Sequence, residues 1–366
     1  MTSRERMLTA INNGKPDRLP GQVHNWMPYY LNTYLGGIGP FEAYEKFGLD
    51  MAIYTGPAHE YDPKDQAKWE SQFRRTEPNA DGVYTWEETI ITPEGELHWS
   101  GAGNSITCWH VEPLIKSEQD FELWDKYWPV PTKLDGTPVR QALERVGDRG
   151  IVRGGILGFG QVGPWQSFCF MVGTEEAIMY TYDNPEWVHH CEQRILDKQL
   201  RYIEMMAGEV PLDLIELGGG AGSNTVISPK LHEEFCLPYD KQQVDALHAA
   251  GYKVIYHLCG GLMKMLDYVV ANGSDGLETM TPPSMGGDCD LAEANRLVGD
   301  KLFFVGGFDQ NRGFEHGSPE VVRQMVFELH ASCPDGGYIC CPSDHFFHGD
   351  PANVQAFADA LKECVY

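Results

Sequence analysis

Positive charge is what this chain has least of. Its 366 residues carry 28 Lys and Arg against 53 Asp and Glu, a formal net charge of −25. So acidic a protein repels phosphate backbones and anionic headgroups, which argues against nucleic acid and membrane surfaces as partners. Long apolar runs are missing as well. No stretch of about 18 apolar residues occurs, so no membrane span is expected. The opening residues, MTSRERMLTAINNGKPDRLP, hold no apolar core of a leader, and no secretory signal is read there. Ten cysteines without that signal, and without the spacing of a disulfide framework, point to reduced thiols and a cytoplasmic location. A dinucleotide fingerprint is absent too. Residues 218–222 read GGGAG after a strand, but no acidic residue follows at the distance a ribose needs.

What is present is core-forming material. Hydrophobic residues make up 42%, with 16 Phe, 17 Tyr and 9 Trp, which excludes disorder. Residues 3–12 read as a capped helix. Residues 21–26 read as a first strand and 51–54 as the next. Residues 82–100 alternate apolar and polar around Pro93-Glu94-Gly95, the pattern of a half-exposed β-hairpin inserted into the main domain. From residue 117 onward helices and strands alternate. The strands are read at 151–158, 212–217, 253–256, 276–280, 302–305 and 337–341, and a long helix at 229–250. About eight strands separated by crossover helices predict an α/β fold. The predicted fold is a (β/α)8 TIM barrel, a single domain over residues 1–366 with an N-terminal extension.

The stretch 252–261, YKVIYHLCGG, organises the rest. A short apolar, β-branched run ends on His257-Leu258-Cys259 and two glycines. Positions i and i+2 of an extended chain point to one side, so the imidazole and the thiol can face one point. An N,S pair at the carboxyl end of a buried strand is a zinc-type donor set. The competing reading is a hydrogen-bonded core histidine beside a packed thiol.

Barrel enzymes place their chemistry at the carboxyl ends of strands. The residues predicted there are His24, Tyr54, Glu216, His257, Cys259, Glu278, Asp309, Cys340 and Cys341. Side chains alternate along a strand, so one of Cys340 and Cys341 points inward, and Cys341, nearer the loop, is the favoured one. His257, Cys259 and that thiol would give zinc three protein ligands and leave a position open, the catalytic arrangement. Glu216 or Glu278 could supply a fourth ligand or remain a hydrogen-bond partner. Trp26, Tyr29, Tyr30, Trp165 and Phe168 are candidates for an aromatic pocket or for core.

The chain resembles the uroporphyrinogen decarboxylase superfamily, and within it the branch of zinc-dependent, corrinoid-linked methyltransferases. The resemblance runs over nearly the whole chain. It rests on SRERMLTAINNGKPDRLP, TYDNPEWV at 181–188, ISPKLHEEFCLPYDK at 227–241, and YHLCG. It continues through GDKLFFVGGFDQ at 299–310 and GGYICCPSDHFF followed by DPANVQAF. Decarboxylases of the superfamily carry an arginine-rich RQAGR element that grips carboxylates. Here the corresponding stretch reads HNWMPYYLNTY, without arginine. The methyltransferase branch holds zinc with H-x-C and a late Cys, an order that His257, Cys259 and Cys341 match. That late Cys often follows a proline, whereas here Pro342 is followed by Ser343-Asp344-His345, which leaves Asp344 and His345 as alternative third ligands.

The resemblance implies transfer of a methyl group from a small methylated substrate, an aryl methyl ether or methylated amine, to Co(I). No D-x-H-x-x-G element is seen, so the corrinoid is expected on a separate partner protein. Glu216 and Glu278 are the expected catalytic carboxylates. His24, Trp26, Tyr29, Tyr54, Trp165 and Asp309 are the expected substrate contacts. The alternatives are methyl transfer from a corrinoid to a thiol of the coenzyme M type, and a metal-free decarboxylase-like lyase. The oligomeric state stays open, with a homodimer as one option.

Overall fold

The structure is a computed structural model that describes residues 1–159 and 161–366. Seven parallel strands form one sheet: β1 (Met51–Tyr54), β2 (Gly150–Gly154), β3 (Leu214–Gly218), β4 (Val254–His257), β5 (Gly276–Thr279), β6 (Phe303–Phe308) and β7 (Tyr338–Pro342). Their order in the sheet is their order in the chain. Short runs such as Val254-Ile255-Tyr256 suit this setting because β-branched and aromatic residues pack on both faces of a covered sheet. Every residue of β2, β3, β4, β5 and β7 is buried. Crossover helices start where the sequence places a polar cap before proline: Asn184-Pro185, Ser228-Pro229, Ser318-Pro319 and Asp350-Pro351.

Three expectations are corrected. The predicted first strand at 21–26 reduces to one parallel bridge between Gly21 and Cys340. The backbone N–H of Gln22 donates to Cys340 (3.1 Å), that of Cys340 to Pro20 (2.9 Å), and that of Asp50 to Gly21 (3.0 Å). This segment therefore bonds to both edges of the sheet, next to β7 and at the start of β1. It leaves the sheet at once because Trp26 turns into a nest of Tyr44, Phe47 and Phe346, and Pro28 opens a helix, Pro28–Tyr34. The sheet thus has seven strands rather than eight.

The hairpin belongs to a larger element. Tyr84–Thr92 and Gly95–Gly103 are the middle strands of a four-stranded antiparallel sheet completed by Glu70–Arg75 and Cys108–Glu112. The outer strands are mostly exposed, so neither shows a strong apolar alternation. The long helix at 229–250 is two helices, Pro229–Phe235 and Leu237–Ala249, with a kink at Cys236. Pro238 causes the break: it lacks an N–H, and its ring crowds the carbonyl four residues back.

Inside the curl of the sheet, Ile151, Leu214, Ile255, Phe303, Val305, Ile339 and Cys341 meet Met7, Ala10 and Ile11 of the helix Ser3–Ile11. That helix reaches the first residue of β2, where Arg4 donates to the Gly150 carbonyl. The amino ends of the strands are thereby closed, and the carboxyl ends stay free for chemistry. Among the described residues, no helix is long and apolar enough to cross a membrane.

Asp50, buried at the entry to β1, ties the 19–22 segment to the sheet. It accepts from Arg6 (2.8 Å), Arg18 (3.3 Å) and the Gly21 N–H (3.0 Å). Replacing it by Ala leaves Arg6 with Asp17 as its remaining carboxylate, Arg18 without its carboxylate partner, and the Gly21 N–H without its acceptor. Asp50→Ala should cost about 3 kcal/mol, the usual loss when one partner of a buried pair is removed. Urea unfolding at neutral pH measures it, and a change within the scatter of surface substitutions would refute the role.

Candidate active site

Four charged or titratable side chains from four successive strands meet inside the sheet near its carboxyl edge. Arg153 comes from β2, Glu216 from β3, His257 from β4 and Glu278 from β5. His257 and Glu278 stand directly opposite in register, whereas Glu216 lies level with Ile255. Arg153 donates through Nη1 to Glu278 Oε2 (2.8 Å) and through Nη2 to Glu278 Oε1 (2.8 Å) and Glu216 Oε2 (2.8 Å). All are buried, with Arg153 at 3% exposure and Glu278 at 0%. Burial alone would raise Glu278; Arg153 and His257 reverse that and hold it well below the usual carboxylate range. Glu216 is pushed the other way, by its own burial and then by the charge of Glu278.

Two carboxylates around one guanidinium leave a surplus negative charge in a dry interior. His257 is placed to answer it. Its Nδ1 lies 3.1 Å from Glu278 Oε1 and 3.4 Å from Glu216 Oε1. Both partners are carboxylates, so Nδ1 carries the proton and Nε2 faces outward with its lone pair.

On the Nε2 side stands Gln161. The Gln161 Oε1 accepts from the Gly220 N–H (3.2 Å), which turns its amide NH2 toward His257 Nε2 at 2.6 Å. The Cys259 thiol lies against the same imidazole. It also lies so close to Gly220 that a Cβ there would sit 2.5 Å from Sγ. Only glycine at 220 leaves Cys259 room beside His257.

His24 continues the cluster toward solvent. Its ring centroid is 5.6 Å from that of His257 and 5.0 Å from that of His345. Desolvation draws the His24 imidazole down to about 3, against the pull of Glu278. His24 also lines a cleft of about 720 Å³, together with Asn25, Phe41, Tyr54, Thr55 and Arg145. The Tyr54 ring is 54% exposed there and covers the Arg153 guanidinium, 5.9 Å from the ring centroid. His345 pairs with Asp344 at 3.3 Å.

The other expected residues fall elsewhere. Cys341 points into the apolar interior with Ile255 and Val305, its Sγ 3.9 Å from Gln22 Nε2. Among the described residues, no His, Cys or acid brings a third donor atom within 4.8 Å of both the His257 and Cys259 donors. Cys340 faces the other side of β7, in the outer core with Cys333 and Cys364, because side chains alternate along the strand. Glu216 and Glu278 are engaged by Arg153 rather than free. Trp26 is 3% exposed and reaches the cleft only from within its wall. Tyr30 is packed beneath Phe346. Trp165 and Phe168 belong to a second core beneath the antiparallel sheet, where the Trp165 indole donates to the Ala221 carbonyl (3.0 Å). Tyr29 lies on the surface side against His348. Asp309 caps a turn, accepting from Ser284 (2.6 Å) and the Arg312 N–H (2.9 Å), and lines a separate cleft.

Arg153 and Gln161 were not anticipated. Arg153 had a signal: it is the one charged residue in the strand GIVRG, and a charge in a doubly covered strand needs partners. Gln161 had none, since it sits in a glycine-rich loop whose path the sequence does not reveal.

Comparison with known proteins adds the family. The family model described as uroporphyrinogen decarboxylase (URO-D) matches residues 109–364. The uroporphyrinogen decarboxylase of Pseudomonas syringae pv. tomato is 28% identical over 221 residues, 55% of this chain and 56% of the relative. That of Photobacterium profundum is 26% identical over a similar span. The chain spans about half the length of the curated relatives it matches. Among solved structures, a methyltransferase from Methanosarcina mazei superposes with a TM-score of 0.65 at 12% identity, covering 99% of each chain. That likeness concerns the fold.

The ion cluster makes a pH-dependent prediction. In the native protein Glu278 is depressed, so its stabilisation is present above its unfolded value and is lost as pH falls through its native one. Without Arg153 both carboxylates are raised, and stability is lost as pH rises above the unfolded carboxylate range. Arg153→Met should therefore cost about 3–5 kcal/mol near pH 7.5 and clearly less near pH 5, read from urea midpoints. An equal cost at both pH values would refute the charge balance described here.

Proposed function

The chain belongs to the uroporphyrinogen decarboxylase family, and on that premise we propose that it is a zinc-dependent methyltransferase. In this reading it moves a methyl group from a small methylated substrate to the Co(I) of a separate corrinoid protein. The observation that carries the reading is the orientation of His257. A ligating histidine typically donates its second N–H to a carboxylate, which fixes the tautomer and frees the other nitrogen. Glu278 does this for His257, Cys259 lies against the same imidazole in a space that Gly220 keeps open, and Gln161, now at Nε2, would give way to the ion.

The donor set fits zinc: one imidazole nitrogen and one thiolate, over a pocket with one surplus negative charge. His257 and Cys259 would hold the ion. Cys341, His24, His345 and Asp344 remain candidates for completing the set, and Cys341 would need to turn from the interior to do so. When bound, zinc supplies Lewis-acid polarisation of the leaving oxygen or nitrogen. The chain's own residues do the positioning. Glu278 holds the His257 ring, Arg153 holds Glu278, and Tyr54 shields that pair from the cleft. Phe41, Tyr54 and His24 give the cleft flat faces for an aromatic ether or a methylated amine. In the overall transfer the methyl carbon would leave its heteroatom for a reduced corrinoid, consumed as co-substrate with its own electron pair, and the heteroatom would take up a proton. The protein's contribution is then orientation and charge placement. In this reading the domain is a (β/α)8 barrel in which the 19–22 segment fills the eighth position.

A porphyrinogen decarboxylase needs cations for its substrate's carboxylates. Both Nη groups of Arg153 are already taken by two glutamates, and Arg145, on the cleft, is bonded to Glu42 (2.7 Å). This charge inventory favours a methylated substrate over a polycarboxylate.

The test is a methyl-transfer screen with a reduced corrinoid protein and a panel of methyl ethers, amines and thiols, alongside zinc analysis. His257→Ala should abolish transfer and remove the zinc held with Cys259. Glu278→Gln should weaken zinc binding by about 10- to 100-fold, as loss of an orienting carboxylate does. Transfer to a thiol alone would favour the coenzyme M-type direction. Unaltered zinc affinity in the His257→Ala protein would sink the assignment.

A further inference from the structure

We propose that the chain holds a second, structural divalent-cation site of zinc type, built from His232, Cys236 and Asp240 behind β4. These residues are spaced by four along the two helices that meet at the Cys236 kink, so they share one face. Their donor atoms all lie within 4.8 Å of one another. None touches solvent: exposures are 0%, 2% and 1%. The proposal is independent of the methyltransferase reading, since it uses none of the residues around His257.

The unpaired atoms point to a missing cation. His232 donates through Nδ1 to the Gly222 carbonyl (2.8 Å), which leaves Nε2 with its lone pair and no partner. This is how a second contact orients a ligating histidine. Asp240 Oδ2 accepts from the Tyr256 hydroxyl (2.5 Å), while Oδ1 has no partner. Glu192, fully buried, has no partner for either carboxylate oxygen, and its charge reaches both Cys236 and Asp240. Among the described residues neither acid is balanced by Lys or Arg. Buried acceptors left bare are costly, and several in one place call for a shared partner.

A single divalent ion would satisfy them together. Nitrogen, sulfur and oxygen donors suit zinc, and Glu192 is the nearest candidate for a fourth ligand. With its donors buried away from solvent, such a site is structural rather than catalytic. Binding would displace the Cys236 proton to solvent, as metal capture by a thiol does. The rival state is metal-free, with both acids protonated.

The experiment compares wild type, Cys259→Ser and Cys236→Ser, purified without chelators, by elemental analysis and by the thiolate-to-cobalt absorption of their Co(II) forms. The site predicts that Cys259→Ser keeps one equivalent of metal and a thiolate–cobalt band. It predicts that Cys236→Ser loses that equivalent and unfolds at lower temperature. If Cys236→Ser does not fold, Asp240→Asn should show reduced metal content in its place. A metal equivalent that survives Cys259→Ser but not Cys236→Ser supports this site even if the His257 pair binds nothing. A Cys259→Ser protein without metal or cobalt band overturns it, as does unchanged metal content in folded Cys236→Ser or Asp240→Asn.

Discussion

The structure turns on one guanidinium held between two carboxylates that reach it from strands two apart. Arg153 cannot give up its proton, so its charge is permanent, and a permanent charge in a dry sheet interior is tolerated only when opposed. Glu278 opposes it with both oxygens and Glu216 with one. The result overshoots by one negative charge. That surplus explains why His257 must lie next to Glu278, with its proton on Nδ1. From there the geometry propagates outward. Nε2 needs a partner on its far side and Gln161 stands there, while a residue larger than Gly at 220 would push the Cys259 thiol away from the imidazole. Strand register, tautomer and a glycine requirement thus follow from a single charge imbalance.

Much of the architecture is legible because its signals are local. A cap followed by proline marks Asn184, Ser228, Ser318 and Asp350 as helix starts, whatever the rest of the chain does. The strands β1 and β4 announce themselves as apolar runs between turn residues. The failures occur where a local signal competes with a distant one. Residues 21–26 have strand composition, yet the core formed by Tyr44, Phe47 and Phe346 captures Trp26 and pulls the chain out of the sheet. The run at 229–250 looks like one helix by periodicity, but Pro238 forbids it. The outer strands of the antiparallel sheet are exposed on their flanks and so carry little hydrophobic pattern.

The site was half visible for the same reason. His257 ends β4 and Cys259 follows two residues later, where continued extended alternation puts them on one side. Glu216 and Glu278 could be found as strand-end acids, but not their role, because the role depends on Arg153 one strand further away. The aromatic candidates fared worst. Trp26, Trp165 and Phe168 are large apolar side chains in a chain rich in them, and the interior absorbs such residues before a pocket does. Chemistry-bearing residues are scarce and local in their constraints, whereas aromatic ones are common and answer to the whole core.

Strand β4 deserves the central place for a reason the front face does not show. Successive side chains of a strand point to opposite sides, so Tyr256 and His257 report to different environments. His257 faces the ion cluster and the cleft. Tyr256 faces the helices behind, where its hydroxyl bonds to Asp240 beside His232 and Cys236. The position of the His257 backbone is therefore set from behind as much as from the side. A shift of the two kinked helices would move Tyr256, and with it the imidazole that Glu278 aligns. Bonding distances tolerate only a few tenths of an ångström, so a rigid anchor on the far side of β4 is what lets the near side hold a donor pair in fixed geometry. The closed amino end of the sheet removes the remaining freedom: with the helix Ser3–Ile11 packed beneath Ile255, β4 has no slack along its own axis.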